Sequence, residues 1–171
     1  VIGTTGLSEE QMDLLRSDVA DRIPVLVAPN MGIGMNLMFE LVRRAAEAVA
    51  SKWDTEITEV HHNKKTDAPS GTALKLAEII CNAIEKNPSE VLRFGREGEV
   101  GERPSDEIGV HALRGGDIPG DHTVMFAGPG EVIELKHRAV DRAVFAKGAI
   151  QAAAFVADKP AGMYAMSDVL S

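Results

Sequence analysis

The chain has 171 residues, 44% hydrophobic and 26% charged, with a formal net charge of -8; it suits one domain or two small ones with a buried core, and the acidic balance argues against nonspecific binding to nucleic acid or anionic lipid, which needs clustered cations, while leaving room for a small local cationic pocket. Its one cysteine, Cys81, excludes an internal disulfide framework and fits a reducing cytoplasm. No run approaches the ~20 apolar residues of a membrane span, and VIGTTGLSEEQ lacks the basic start and apolar core of a signal peptide.

Val1-Ile2-Gly3-Thr4-Thr5-Gly6 reads as the end of a buried strand entering a glycine turn, so the chain is expected to start inside a larger unit. Ser8 is the expected N-cap of a helix, with Gln11 completing a capping box and Leu14, Leu15 and Val19 forming its apolar stripe. Residues 23–28 (IPVLVA) are a continuous apolar run, the pattern of a strand buried on both faces. Strand, turn, helix and strand make one unit of a parallel α/β sheet.

Pro29-Asn30-Met31-Gly32-Ile33-Gly34 breaks the pattern as a loop or hinge. Leu37, Leu41, Ala45, Ala48 and Val49 then recur at helical spacing through residues 36–52. Residues 55–60 alternate as a strand and deliver His61 and His62 at its end. A polar loop over 63–70 precedes a second amphipathic helix over 71–86. Short strands are predicted at 108–113, 123–127 and 131–137, giving a mostly antiparallel or mixed sheet. Residues 145–157 are an alanine-rich helix, and 164–170 form a short tail.

The stretch most charged with chemistry is Glu59-Val60-His61-His62-Asn63-Lys64-Lys65-Thr66-Asp67-Ala68-Pro69-Ser70-Gly71-Thr72-Ala73. Adjacent histidines at a strand end point to opposite sides, so they are unsuited to one shared task. Histidine is the side chain best matched to proton transfer near neutral pH, and a turn could bring the Lys65 ammonium back to the cleft of His61. Ser70, Gly71 and Thr72 open a helix, whose N-terminal amides form a ready anion site. Together they suit a small carboxylate-bearing molecule and a proton transfer beside a polarised centre. Taken singly, the histidines could be structural or hold a metal, Ser70-Gly71-Thr72 could be a plain cap, and Lys64 and Lys65 a solvated pair. No Cys, Asp or Glu stands at ligand spacing, Ser70 is not in a GxSxG elbow, and no GxGxxG follows a strand. A metal is therefore not expected.

HHNKKTDAPSGTA, with Glu59 two residues ahead of it, resembles the signature of the 4-hydroxy-tetrahydrodipicolinate (dihydrodipicolinate) reductase family at every fixed position. Val1 to Gly6, Ala28 to Asn36, Arg96-Glu97-Gly98, Gly101-Glu102-Arg103 and Arg114-Gly115-Gly116-Asp117-Ile118 leading to His122-Thr123 agree as well. The resemblance implies an α/β chain. Residues 1–31 and 142–171 would belong to a Rossmann-like nucleotide domain. Residues 32–141 would form a substrate and assembly domain with an open mixed sheet and flanking helices.

It further implies His61 as proton donor assisted by Lys65, with His62, Lys65, Ser70, Gly71 and Thr72 binding the substrate. Gly3, Thr4, Thr5, Ala28, Pro29, Asn30 and Met31 would line the nicotinamide side of NADH or NADPH, with Arg142 close by. Met31 replaces a phenylalanine found in some relatives. The implied reaction reduces a cyclic unsaturated imine dicarboxylate in lysine synthesis, in a cytoplasmic homotetramer. The family's glycine-rich pyrophosphate loop would precede Val1, so the chain is expected to be part of a longer polypeptide. A catalytically silent dicarboxylate-binding and oligomerisation piece is the alternative, and an unrelated dehydrogenase of similar architecture is disfavoured by the signature.

Overall fold

A computed structural model describes residues 1–4 and 6–170. The chain divides into two compact units, one made of residues 1–37 with the segment from Asp141 onward, the other of Met38–Val140.

The first unit is built on two short parallel strands, β1 (Pro24–Leu26) and β7 (Gly162–Tyr164). Ile2 extends the pairing through a parallel bridge to Val27, its N–H donating to the Leu26 carbonyl at 2.8 Å. Helix α1 (Glu9–Leu14) starts on the expected capping box: Ser8 Oγ accepts from Gln11 N–H, and the Gln11 side chain accepts from Ser8 N–H. Its last turn widens into a π-turn over Leu15–Val19. The apolar run at 23–28 yields only a three-residue strand, and Ile23 stays exposed. Leu26, Ala28 and Met31 pack with Ala152 and Val156 of α5 (Ala143–Ala157) and Met166 of α6 (Met166–Leu170). A Cβ on Gly148 would stand 1.8 Å from the Met31 carbonyl oxygen, so α5 meets that loop backbone to backbone only because residue 148 has no side chain. The short tail expected over 164–170 holds α6, and β7, which ends at Tyr164, runs into it from Gly162. Its strand is three residues long and has no alternation to reveal it.

Helix α2 (Ile33–Ala45) leads into the second unit and also ends in a π-turn, Ala46–Ala50. The unit's core is a five-stranded mixed sheet in the order β3-β4-β2-β5-β6. Its strands are β2 (Asp54–His61), β3 (Leu92–Phe94), β4 (Ile108–Arg114), β5 (Gly120–Gly128) and β6 (Glu131–Ala139). β3 and β2 lie parallel to β4, whereas β5 pairs antiparallel with both β2 and β6. β3, absent from the sequence expectations, follows directly on the short helix α4 (Pro88–Val91). Helix α3 (Gly71–Ala83) ends earlier than residue 86 and packs on β2, β4 and the end of α2. Ile57, Val110, Val124 and Phe126 from the sheet are fully buried, as are Leu76, Ile80 and Cys81 from α3. No described helix is long and apolar enough to cross a membrane.

Candidate active site

β2 alternates strictly, and its buried side carries Thr55, Ile57, Glu59 and His61. Residues two apart on a strand share a face, so Glu59 and His61 meet: Glu59 Oε2 lies 2.5 Å from His61 Nδ1. Glu59 is 0% exposed. Arg114, at the end of the neighbouring β4, grips it with two bonds of 2.9 Å, Nη1 to Oε2 and Nη2 to Oε1. Ser70 N–H donates to Oε1 at 3.0 Å. Burial pushes the Glu59 carboxyl up, but Arg114, His61 and the Ser70 amide outweigh it and hold it below its ordinary value. It is a buried anion with a full set of donors.

For His61 the balance falls the other way. Burial pushes its imidazole down, Glu59 pulls it up, and Lys65 and Arg114 push it down again, for a net lowering. The ring meets His122 edge-on at 5.2 Å between centroids. Burial, with smaller help from the charge of His61, drives His122 down to about 4, so it is a neutral imidazole at neutral pH. Its Nε2 lies 3.2 Å from Ser70 Oγ.

The loop after β2 returns Lys65 towards the histidine, where its Nζ holds Asp67 at 2.7 and 2.9 Å. Arg114 Nη2 also donates to the Asp67 carbonyl at 2.7 Å, tying the loop to β4. Ser70 is the N-cap of α3: its hydroxyl accepts from Ala73 N–H at 3.2 Å and its carbonyl from Leu74 N–H at 3.0 Å. Ser70 is itself buried, so what it offers is helix geometry, its hydroxyl being engaged inside. Gly71 and Thr72 supply the amides ahead of the first helical bond, the position at which an anion binds. His62 is half-buried, and its N–H donates to the Ile118 carbonyl.

The second unit thus gathers His61, His62, Lys65, Ser70, Gly71 and Thr72 around one strand end. Gly3, Thr4, Ala28, Pro29, Asn30, Met31 and Arg142 lie in the first unit, and Thr5 is outside the described residues. There the two expected nucleotide segments run side by side, Ala28 N–H donating to the Ile2 carbonyl at 3.0 Å. Asn30 Oδ1 caps Gly32 N–H at 2.8 Å, and Arg142 stands exposed at the start of α5.

Sequence reasoning gave no role to Glu59, Arg114, Gly120 or His122. The i, i+2 spacing of Glu59 and His61 on a strand was the available signal for the first. Arg114 and His122 arrive from strands more than fifty residues away, as their partners' sequence separations of 55 and 52 show.

The model of the family described as "Dihydrodipicolinate reductase, C-terminus" matches residues 34–170. This chain belongs to that family. Among its relatives, the 4-hydroxy-tetrahydrodipicolinate reductase of Anaeromyxobacter sp. (strain Fw109-5) is 51% identical over 99% of this chain and 63% of its own length. The protein of the same name from Akkermansia muciniphila is 50% identical over 99% of this chain and 69% of its own length. A solved family structure, the dipicolinate-bound dihydrodipicolinate reductase from Paenisporosarcina sp. TG-14, superposes with a TM-score of 0.72 at 30% identity. It covers 96% of this chain and 61% of that one. The chain thus spans somewhat less than two thirds of the first of these relatives.

Proposed function

We propose that this chain is the substrate-binding and catalytic part of a 4-hydroxy-tetrahydrodipicolinate reductase of lysine and diaminopimelate synthesis, cytoplasmic and assembled as a homotetramer. The observation that carries the reading is that one buried carboxylate, Glu59, touches both the His61 ring and the Ser70 amide at the start of α3. That contact supports the reading, because a proton donor beside a helix N-terminus is the pairing that a cyclic dicarboxylate needs. A relative's structure holding dipicolinate supports the same ligand class.

In this reading the amides of Gly71 and Thr72 hold one carboxylate, with His62 and Lys65 contributing charge or hydrogen bonds. Bringing a dianion beside His61 favours its imidazolium, which then protonates the electron-rich position of the ring from Nε2. Lys65 raises the positive potential where negative charge develops. NADH or NADPH, when bound, supplies the hydride. The first unit fits the nicotinamide end of such a molecule: Gly3 is exposed, and a Cβ there would meet only the Met31 side chain, at 3.4 Å. Thr4, Ala28, Pro29, Asn30 and Arg142 are the further residues assigned to that end, with Thr5 beside them in sequence.

The test is a pair of titrations: calorimetric binding of pyridine-2,6-dicarboxylate, and oxidation of NADH and NADPH on freshly generated substrate. Binding with oxidation is the expected result. Binding of the dicarboxylate without nucleotide oxidation makes the chain a silent substrate and assembly piece, and failure of both overturns the proposal.

A further inference from the structure

Resting on His61 as the proton donor, we propose that Glu59 is a positioning residue that fixes the tautomer and direction of the His61 ring, with Arg114 holding Glu59 in place. Neutral imidazole carries one N–H, and the partner of one nitrogen decides which nitrogen faces the substrate. Here Nδ1 is 2.5 Å from an anion that can only accept, so Nδ1 carries the hydrogen and Nε2 is the nitrogen left to face a bound molecule.

The anion cannot turn away. Both oxygens are pinned by Arg114, and Oε1 by the Ser70 amide. Nor can it pick up the proton readily, because those same donors hold its carboxyl low. A buried ion pair of this kind is a poor source of stability compared with apolar packing, which leaves orientation of His61 as its physical effect. The other charged or titratable groups facing His61 are few. Lys65 approaches from the loop, Arg114 from β4 and His122 from β5, and His122 stays neutral above about pH 4.

A glutamine at 59 reverses the arrangement. Its oxygen would be drawn to Arg114 and Ser70, turning its NH2 group towards Nδ1. An amide donor there selects the opposite tautomer, with hydrogen on Nε2.

The experiment is 15N NMR of histidine-labelled chain across a pH titration, without nucleotide or substrate. Wild type is expected to show His61 with hydrogen on Nδ1. Glu59→Gln is expected to move the hydrogen to Nε2 and lower the His61 midpoint by about one pH unit or more, the effect of losing an adjacent opposite charge. Because Glu59→Gln strands the Arg114 charge, Glu59→Gln/Arg114→Met provides a second variant without that cation. It should show the same loss of Nδ1 preference. Hydrogen on Nε2 in the wild type overturns the proposal even if neither variant folds. So does a folded Glu59→Gln with unchanged tautomer and midpoint. Nucleotide oxidation is read separately, so failure of the reductase reading would appear there and leave the tautomer result standing.

Discussion

Gly120 lies against the imidazole of His61: a Cβ at position 120 would stand 2.9 Å from Nε2 and 3.3 Å from Cδ2. The ring has little freedom to retreat, since Nδ1 is tied to Glu59 and His122 sits at its edge. Gly120→Ala should therefore displace the ring or cover Nε2. Misplacing a reacting group by about 1 Å costs on the order of 100-fold in rate, and that loss is expected in nucleotide oxidation by this variant. Gly115→Ala is the control, because nothing lies within 4 Å of a Cβ there. Equal losses in both variants would sink the argument.

The separate duties proposed for His61 and Lys65 predict different kinetic signatures. His61→Gln should lower turnover by about 100-fold or more and leave the affinity for pyridine-2,6-dicarboxylate nearly intact. Lys65→Met removes a charge-assisted partner and should weaken that affinity by about tenfold. Calorimetry and steady-state rates on both variants check this. Equal loss of binding in His61→Gln would reassign His61 to anchoring the substrate.

His122 makes a stability prediction with a defined sign. Its folded value is about 4 against an ordinary 6.5, so between those values the unfolded chain binds the extra proton and the folded chain does not. Its contribution is thus fully present above pH 6.5 and is lost as pH falls towards 4, by about 3 kcal/mol at most. Urea unfolding at a series of pH values should show this slope, and His122→Gln should flatten it. An unchanged slope in the variant would assign the pH dependence to other groups.

Much of the architecture was legible because long elements advertise themselves. The alternation over 55–60, the apolar spacing of the helix from Gly71 and the Ser8 capping box all became the elements expected. β3 and β7 were not legible, since three residues carry no period. In the site, His61 and Ser70 stand out by residue type and by the cap. Glu59 is harder, because a glutamate beside threonine on a strand reads as solvent-facing until an arginine is known to meet it. That arginine comes from β4 through sheet pairing alone, His61 lying opposite Arg114 in the register. Nothing local in the sequence encodes that meeting.

The outer face of the same strand yields the last prediction. Glu56 there accepts from Arg96 at 2.6 Å, from Arg103 at 3.1 Å and approaches His111 Nε2 at 2.7 Å. Burial pushes its carboxyl up, but those three partners prevail and hold it at about 2 against an ordinary 4.5. Arg96 also binds Glu107, and Arg103 binds Asp54, so Glu56 pins the segment between β3 and β4 to the sheet. The arrangement needs Gly109 directly opposite, where a Cβ would stand 1.9 Å from Glu56 Oε2. Gly109→Ala must eject the carboxylate and leave two guanidinium groups short of a partner. A loss of about 2–4 kcal/mol is expected at neutral pH. A folded carboxyl held low contributes stability that is present above pH 4.5 and disappears as pH falls towards 2. In Gly109→Ala that acid slope should therefore shrink, while the slope assigned to His122 between pH 6.5 and 4 persists. A variant that loses stability equally at every pH would show that the added methyl group acts by crowding alone and not through Glu56.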